Sequence, residues 1–377
     1  MSFRQVFDQY NWEQVHDDIL SKSEADVIRA LEAPRRTLEH FKALLSPAAS
    51  PYLEHMATRS RHLTLRRFGN VIQLFAPLYV SNECQNICTY CGFSMDNFLQ
   101  RKTLDETELL QEARYLKERG YDHVLLVSGE ANKTVNPAYF QAALRLVNPL
   151  FSQVSLEIQP LDESDYRMLI DEQLHSVLVY QETYRQDRYK IYHPKGKKSN
   201  FYYRLETPDR LGRAGIHKIG LGALLGLEDW RTDSFFTALH LQYLEKTYWA
   251  TRYSISFPRL RPCAGAGADA AQPASMITDR ELVQLICAYR LLNQEVDLSL
   301  STRESSHFRD HIISLGITSM SAGSKTNPGG YSVAPTSLEQ FEIDDSRPPE
   351  EVARMLSRKG YQPVWKDWDP VLQKQRG

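Results

Sequence analysis

The sequence predicts an α/β protein, a (β/α)8 TIM-type barrel with helical N-terminal and C-terminal extensions. Three observations predict it. Short apolar, β-rich runs recur eight times between residues 70 and 325, helical patterns lie between them, and polar residues collect at the carboxyl ends of the runs. Strands alternating with helices build a parallel sheet, and eight such units in ~250 residues close into a barrel. The limits that follow are 1–69 for an N-terminal helical extension, 70–325 for the barrel and 326–377 for a C-terminal extension.

The N-terminal extension reads as helices. Ser23 caps an amphipathic turn carrying Val27, Ile28, Ala30 and Leu31, and a second helix runs from Thr37 to Leu45. VIQLFAPLYV (71–80) is the first strand and runs into a cysteine loop. The next helix is predicted to begin at a Thr103/Glu106 capping box, to carry Leu109, Ala113 and Leu116 on one face, and to stop at Gly120. HVLLVSGE (123–130) is the second strand, and Asn136–Pro137 opens the following helix as cap and first-turn proline.

Strands three to eight are expected at 154–161, 175–183, 217–227, 253–260, 296–304 and 317–324. A helical DESDYRMLIDEQ follows the third, and a helix from Thr207–Pro208 to Gly215 follows the fourth. Beyond Lys325 come a turn-rich TNPGGYSVAPTS, an acidic segment, a helix over 349–359 and a terminal aromatic piece, VWKDWD.

Composition bounds the function. The 377 residues are 42% hydrophobic and 24% charged, with a formal net charge of −2. That balance gives no reason to expect nucleic acid or a membrane as partner. Five cysteines, three of them on one loop, imply no disulfide framework and point to a reducing cytoplasm. The charged N-terminus is unlike a signal peptide, and no apolar run reaches the length of a membrane span.

The loop after the first strand, SNECQNICTYCGFS (81–94), places Cys84, Cys88 and Cys91 in a C-x3-C-x2-C spacing with Tyr90 before the last. Three thiolates can hold three irons of a [4Fe–4S] cubane and leave the fourth open for chemistry. A structural zinc site is the weaker alternative: it wants a fourth Cys or His, and the nearest downstream histidine, His123, falls on another element.

More polar groups stand at strand ends, where the active sites of such barrels lie. Ser128-Gly129-Glu130 ends the second strand, Glu157 and Gln159 share one face of the third, and Gln181-Glu182-Thr183 end the fourth. Ser301 to Glu304 end the seventh. Arg303 offers a planar fork suited to a carboxylate, with an ion pair to Glu304 as the structural alternative. The fifth strand keeps its backbone open through Gly220, Gly222 and Gly226. The run Lys195-Gly196-Lys197-Lys198 reads as a solvated loop, Cys287 as packing, and Cys263 has no assigned role.

The cysteine spacing resembles the signature of the radical S-adenosylmethionine (SAM) superfamily. Longer strings narrow the resemblance: NICTYCGF, YQETY (180–184), HPKGKKSNFYYRLETPDRLGRAGI (193–216), LSLSTRE (298–304) and SKTNPGGY (324–331). They are similar to the tyrosine lyases of thiamine biosynthesis, the 2-iminoacetate synthase family, over essentially the whole chain. The resemblance implies that SAM is cleaved to methionine and a 5′-deoxyadenosyl radical. The radical takes a hydrogen from the amino group of L-tyrosine, and Cα–Cβ cleavage then gives p-cresol and 2-iminoacetate for the thiazole ring.

It implies that Cys84, Cys88 and Cys91 bind the cluster. Tyr90, Ser128, Gly129, Glu130, Glu157, Gln159 and Gly222 serve SAM, while Ser301 and Arg303 are the candidates for the tyrosine carboxylate; several residues could meet the phenol, Tyr184 among them, and the sequence does not choose between them. Thiazole synthase is the implied protein partner, and a reduced flavodoxin or ferredoxin-type protein the electron donor.

Four other readings are weaker. A hydrogenase-maturation lyase needs C-terminal cysteines, and none follows Cys287; a sulfur-inserting enzyme needs a second cluster, and only two cysteines are spare. A tryptophan lyase would use the same carboxylate clamp. A plain iron–sulfur electron carrier would normally supply all four ligands to each cubane.

Overall fold

The computed structural model describes residues 2–263, 276–334 and 339–365. Eight parallel strands close into a barrel: β1 (Val71–Ser81), β2 (His123–Ser128), β3 (Gln153–Glu157), β4 (Ser176–Leu178), β5 (Lys218–Leu221), β6 (Arg252–Ser256), β7 (Asp297–Leu300) and β8 (Ser319–Ser321). Each strand pairs with the next. β1 closes the ring by pairing with β2 from Ala76 onward and with β8 at Gln73–Phe75. The strands are shorter than the apolar runs that announce them, because their last residues turn out of the ladder to form the polar rim. On β4 only three residues pair, and Gln181, Glu182 and Thr183 lie beyond them.

A ninth strand, β9 (Gln362–Val364), pairs in parallel with Val71–Gln73 at the start of β1. The sequence does not announce it: its three residues include a proline. It ties the C-terminal extension back to the first strand. The rest of VWKDWD beyond Trp365 lies outside the described residues.

Helix limits follow capping chemistry. Asn136 caps Pro137–Val147, accepting from the Tyr139 amide, and Gly215 ends Thr207–Ala214 in a left-handed conformation. One start is corrected. The helix after the cysteine loop is Glu106–Glu118, capped by a reciprocal Asp105/Glu108 box and not by Thr103/Glu106. Thr103 is engaged elsewhere, its hydroxyl 2.7 Å from Ser81 Oγ and its backbone bridged to Ser81.

The N-terminal helices lie along the outside of the barrel, against the helices Trp230–Thr247 and Asp279–Leu292. Phe3 stacks on His240 with centroids 3.6 Å apart, and the Phe3 amide donates to Asp209 Oδ2 at 2.9 Å. Gln284 Nε2 donates to the carbonyls of Leu44 and Ser46 at 2.8 and 2.9 Å.

Inside the barrel, hydrogen bonds knit the strands at the amino end. Gln73 donates to Gln153 at 2.7 Å, Ser176 to Ser155 at 2.6 Å, and Lys218 pairs with Asp297 at 2.6 Å. His123 stands 2.9 Å from Ser155, and burial pushes its pKa down to about 3, so it is neutral. This hydrogen-bonded layer is a floor. Above it, at the carboxyl ends, the barrel is open.

Candidate active site

The cysteine loop is held from three sides. Gln85 N donates to Glu130 O at 2.9 Å, at the end of β2. Ile87 N donates to Lys195 O at 3.0 Å and Thr89 N to Tyr192 O at 3.2 Å. Gly92 N donates to Gln340 O at 3.1 Å, in the C-terminal extension.

Two glycines permit this packing. A Cβ on Gly129 would stand 2.2 Å from the Glu83 carbonyl oxygen, and one on Gly196, at φ +95°, would meet Asn86 Oδ1 at 2.1 Å. Gly129 therefore serves the approach of β2 to the cysteine loop.

All three cysteines are free thiols, and each lies near enough to another to influence its charge. Burial pushes all three thiols up, so ligation must displace their protons. Lys198 opposes that rise at Cys88 and Cys91. Among the described residues no three His, Cys, Asp or Glu side chains are grouped for one shared metal ion. Three thiols that each take a separate iron of a cubane need no such grouping. Two buried polar atoms at strand ends have no partner among the described residues, Ser128 Oγ at the end of β2 and Gln181 Nε2 beyond β4. Soft donors on one loop and an orphaned hydroxyl at the end of the neighbouring β2 fit a cluster with a polar co-ligand.

The run Lys195–Lys198 is not a solvated loop throughout. Lys195 and Lys197 are exposed, but Lys198 turns inward with its side chain 11% exposed. Its Nζ lies 2.7 Å from Glu182 Oε1 and 4.0 Å from Glu130 Oε1. Arg204 completes the group, 2.7 Å from Glu130 Oε1 and 3.5 Å from Glu182 Oε1. Burial and Arg204 work against the Lys198 charge, but Glu182, Cys88 and Glu130 outweigh them and hold its pKa up. At Glu130 burial is likewise outweighed, by Arg204 and Lys198, and the carboxyl is held below its usual range. Two cations and two anions thus form one balanced network under the cysteine loop.

Tyr90 Oη lies 2.7 Å from His193 Nε2, while His193 Nδ1 faces the Tyr189 carbonyl at 2.9 Å. The carbonyl requires a proton on Nδ1, so Nε2 accepts from the tyrosine.

Beside the loop a cavity of about 1140 Å³, counting its open mouth, fills the carboxyl end of the barrel. Tyr90, Cys91, Glu157, Ser301 and Arg303 line it together with Glu182, Lys198, Tyr180, Ser256 and Phe341. Arg303 is not paired with Glu304, whose carboxylate is taken by Arg259 and Arg261. The Arg303 guanidinium lies 3.4 Å from the Phe341 ring centroid and, among the described residues, donates one long 3.4 Å bond, to the Arg259 carbonyl.

Glu157 is its counter-charge across the cavity. Burial raises the Glu157 pKa to about 7 although Arg303 pulls it down. Among the described residues neither group has a salt-bridge partner.

Cys84, Cys88, Ser128, Gly129 and Glu130 belong to the cysteine loop and the end of β2 and do not line this cavity, and three further expected residues lie outside its lining. Tyr184 is buried in the aromatic cluster under the N-terminal helix, its hydroxyl 3.0 Å from His240 Nδ1. Gln159 donates to the Val135 carbonyl at 2.5 Å. Gly222 packs against Ser256 and Tyr180 without lining the space.

The site residues that the sequence reading passed over are Lys198, Arg204, Gln340 and Phe341. For the first two a signal existed: Lys198 stands between Tyr192 and Phe201, and Arg204 comes three residues after Phe201, next to aromatic residues that the fold buries.

A closed parallel barrel with a three-cysteine loop after its first strand defines a radical SAM enzyme, and residues 78–237 match the Radical SAM superfamily. Residues 256–362 match the Biotin and Thiamin Synthesis associated domain. The chain is 52% identical over 372 residues to a 2-iminoacetate synthase of Escherichia coli (strain K12), with 98% of both chains covered. It is 51% identical over the same length to one of Salmonella typhimurium, again with 98% of both covered. The chain belongs to the 2-iminoacetate synthase family.

Among solved structures, HydG, a maturase of the [FeFe]-hydrogenase, superposes with a TM-score of 0.89 at 30% identity, covering 97% of this chain and 82% of that one. Methylornithine synthase (PylB) shares the fold, with a TM-score of 0.71 at 20% identity over 90% of this chain and 97% of that one.

Proposed function

We propose that Arg303 and Glu157 seat the substrate of this family's reaction, cleavage of the Cα–Cβ bond of L-tyrosine to 2-iminoacetate and p-cresol, which supplies the thiazole moiety of thiamine. The observation that carries this assignment is the pair itself: an anion at the end of β3 and a cation just beyond β7, facing one cavity, each without an ion-pair partner among the described residues. A zwitterionic amino acid supplies both complements. Arg303 donates to its carboxylate through two parallel N–H groups, and Glu157 accepts from its ammonium.

Cys84, Cys88 and Cys91 would hold a [4Fe–4S] cluster, and Ser128, Glu130 and Tyr90 would flank SAM. When bound, cluster and SAM together supply one chemistry, reductive generation of a radical that abstracts hydrogen from the substrate, with 5′-deoxyadenosine and methionine as products. The protein's task is selectivity. Arg303 and Glu157 fix the amino acid backbone, and Leu125, Val127, Leu224 and Phe257 exclude water from its surroundings. Ser256 and Ser299 line the same cavity and suit the phenol end.

In this reading 2-iminoacetate, which hydrolyses readily, passes to thiazole synthase, a flavodoxin or ferredoxin-type protein delivers the electron, and the compartment is a reducing cytoplasm. No helix among the described residues is long and apolar enough to cross a membrane. Anaerobic copurification or crosslinking of the two synthases tests the handover; reproducible absence of any complex counts against it.

The direct test is anaerobic. Protein reconstituted with iron and sulfide is given SAM, reductant and L-tyrosine, and 5′-deoxyadenosine and p-cresol are measured. Both are expected, and both should vanish in Cys88→Ala. 5′-Deoxyadenosine without p-cresol moves the substrate to another amino acid, tryptophan first. Absence of both from a loaded cluster rejects the reading.

A further inference from the structure

We propose that Gln340 is a positioning residue for the iron–sulfur cluster, donating a hydrogen bond to the Cys91 sulfur that raises the cluster's reduction potential. The proposal rests on the reading of Cys84, Cys88 and Cys91 as cluster ligands. Gln340 belongs to the C-terminal extension, 249 residues from Cys91, yet its Nε2 lies 3.6 Å from Cys91 Sγ. That is hydrogen-bond range for a sulfur acceptor.

The other end of the amide is occupied. Tyr79 Oη donates to Gln340 Oε1 at 2.8 Å. Tyr79 sits in an apolar cluster with Phe93, Leu125 and Val127, and its burial keeps the phenol protonated. A phenol can bond either end of an amide, but the reversed amide would aim a carbonyl lone pair at a thiolate. The anion therefore selects the orientation in which nitrogen faces sulfur.

The backbone fixes the residue as well. Gln340 N donates to Thr326 O at 2.9 Å and Gln340 O accepts from Gly92 N at 3.1 Å. A Cβ on Gly92 would stand 2.6 Å from that oxygen, so the extension is seated on the residue that follows Cys91.

The electrostatic consequence has a definite sign. One-electron reduction adds negative charge to the cluster and its thiolates. A donor N–H aimed at a ligand sulfur stabilises the more negative state more strongly, and so raises the potential. An electron donor then has less far to push.

The test compares full-length wild type, Gln340→Leu and Tyr79→Phe after anaerobic reconstitution. Iron and sulfide per chain are measured first, then the midpoint potential by redox titration followed by electron paramagnetic resonance of the reduced cluster. Gln340→Leu is expected to keep its cluster and to shift the reduction equilibrium about tenfold toward the oxidised form, 59 mV more negative for one electron. Tyr79→Phe leaves the amide in place but releases its orientation, and should shift the potential the same way by less. If Gln340→Leu takes up no cluster, the Tyr79→Phe shift decides. An unchanged potential in the variants that carry intact clusters overturns the proposal. Wild type that binds no iron and sulfide overturns the ligand reading itself, and is told apart because it fails before any substitution is made.

Discussion

Glu157, at the end of β3, and Arg303, just beyond β7, line one cavity from strands that lie opposite one another in the eight-stranded ring, and each acts electrostatically on the other. Burial raises the Glu157 pKa to about 7, which places its titration inside the working pH range. A carboxylate accepts from an ammonium and a protonated carboxyl accepts less well, so turnover should fall as pH drops through about 7. The kcat/KM profile of the reconstituted enzyme should show that acid limb, and Glu157→Gln should flatten it at a lower plateau. A limb that persists in Glu157→Gln belongs to another group.

Arg303 provides charge and fork together. Arg303→Lys keeps the first and loses the second, and is expected to lower kcat/KM for p-cresol formation about tenfold, while Arg303→Gln loses both and should cost ~100-fold or more. Because Arg303 does not bond the residues that flank SAM, reductive formation of 5′-deoxyadenosine should outlast p-cresol formation in both variants. Equal loss of the two products would mean that Arg303 serves the cofactor.

Gly129 makes a prediction about metal rather than about catalysis. With a Cβ 2.2 Å from the Glu83 carbonyl, Gly129→Ala must displace the start of the cysteine loop. The barrel β-sheet does not depend on that contact. Gly129→Ala should therefore remain folded by circular dichroism but retain a minor fraction of wild-type iron. Full iron content would show that the loop has room to yield.

Lys198 and Glu182 are both nearly buried and pair at 2.7 Å. Removing one partner strands the other, so Lys198→Met should destabilise the cluster-free protein by ~3 kcal/mol in urea unfolding. Arg204 remains 3.5 Å from Glu182 and sets a limit on the loss. Lys198→Met combined with Glu182→Gln should recover part of it, and strict additivity of the two would deny the coupling.

Much of the architecture was determined by local physics that a sequence displays openly. Alternation of β-rich runs with helices fixes a parallel barrel, since a strand that needs a crossover helix to reach its parallel neighbour leaves that alternation in the chain. The cap at Asn136 and the stop at Gly215 follow from backbone chemistry within a few residues. The three-cysteine loop is legible for the same reason: all its ligands lie within one short segment.

Tertiary structure alone decided the rest. Lys198, in a basic run that looks solvated, is drawn inward by Glu182 and Glu130, whose positions depend on two other strands. Thr103 loses its capping role to Asp105 because Ser81 claims its hydroxyl. Tyr184 leaves the strand-end group for an aromatic cluster closed by Phe7, from the far end of the chain. Glu157 and Arg303 become partners only when β3 and β7 stand opposite one another, and Gln340 reaches Cys91 only because the C-terminal extension folds back over the cysteine loop. Sequence displays what is settled between neighbours along the chain; charge pairs and sulfur contacts across many tens of residues are settled by closure of the barrel, which brings the distant groups together and removes the water between them.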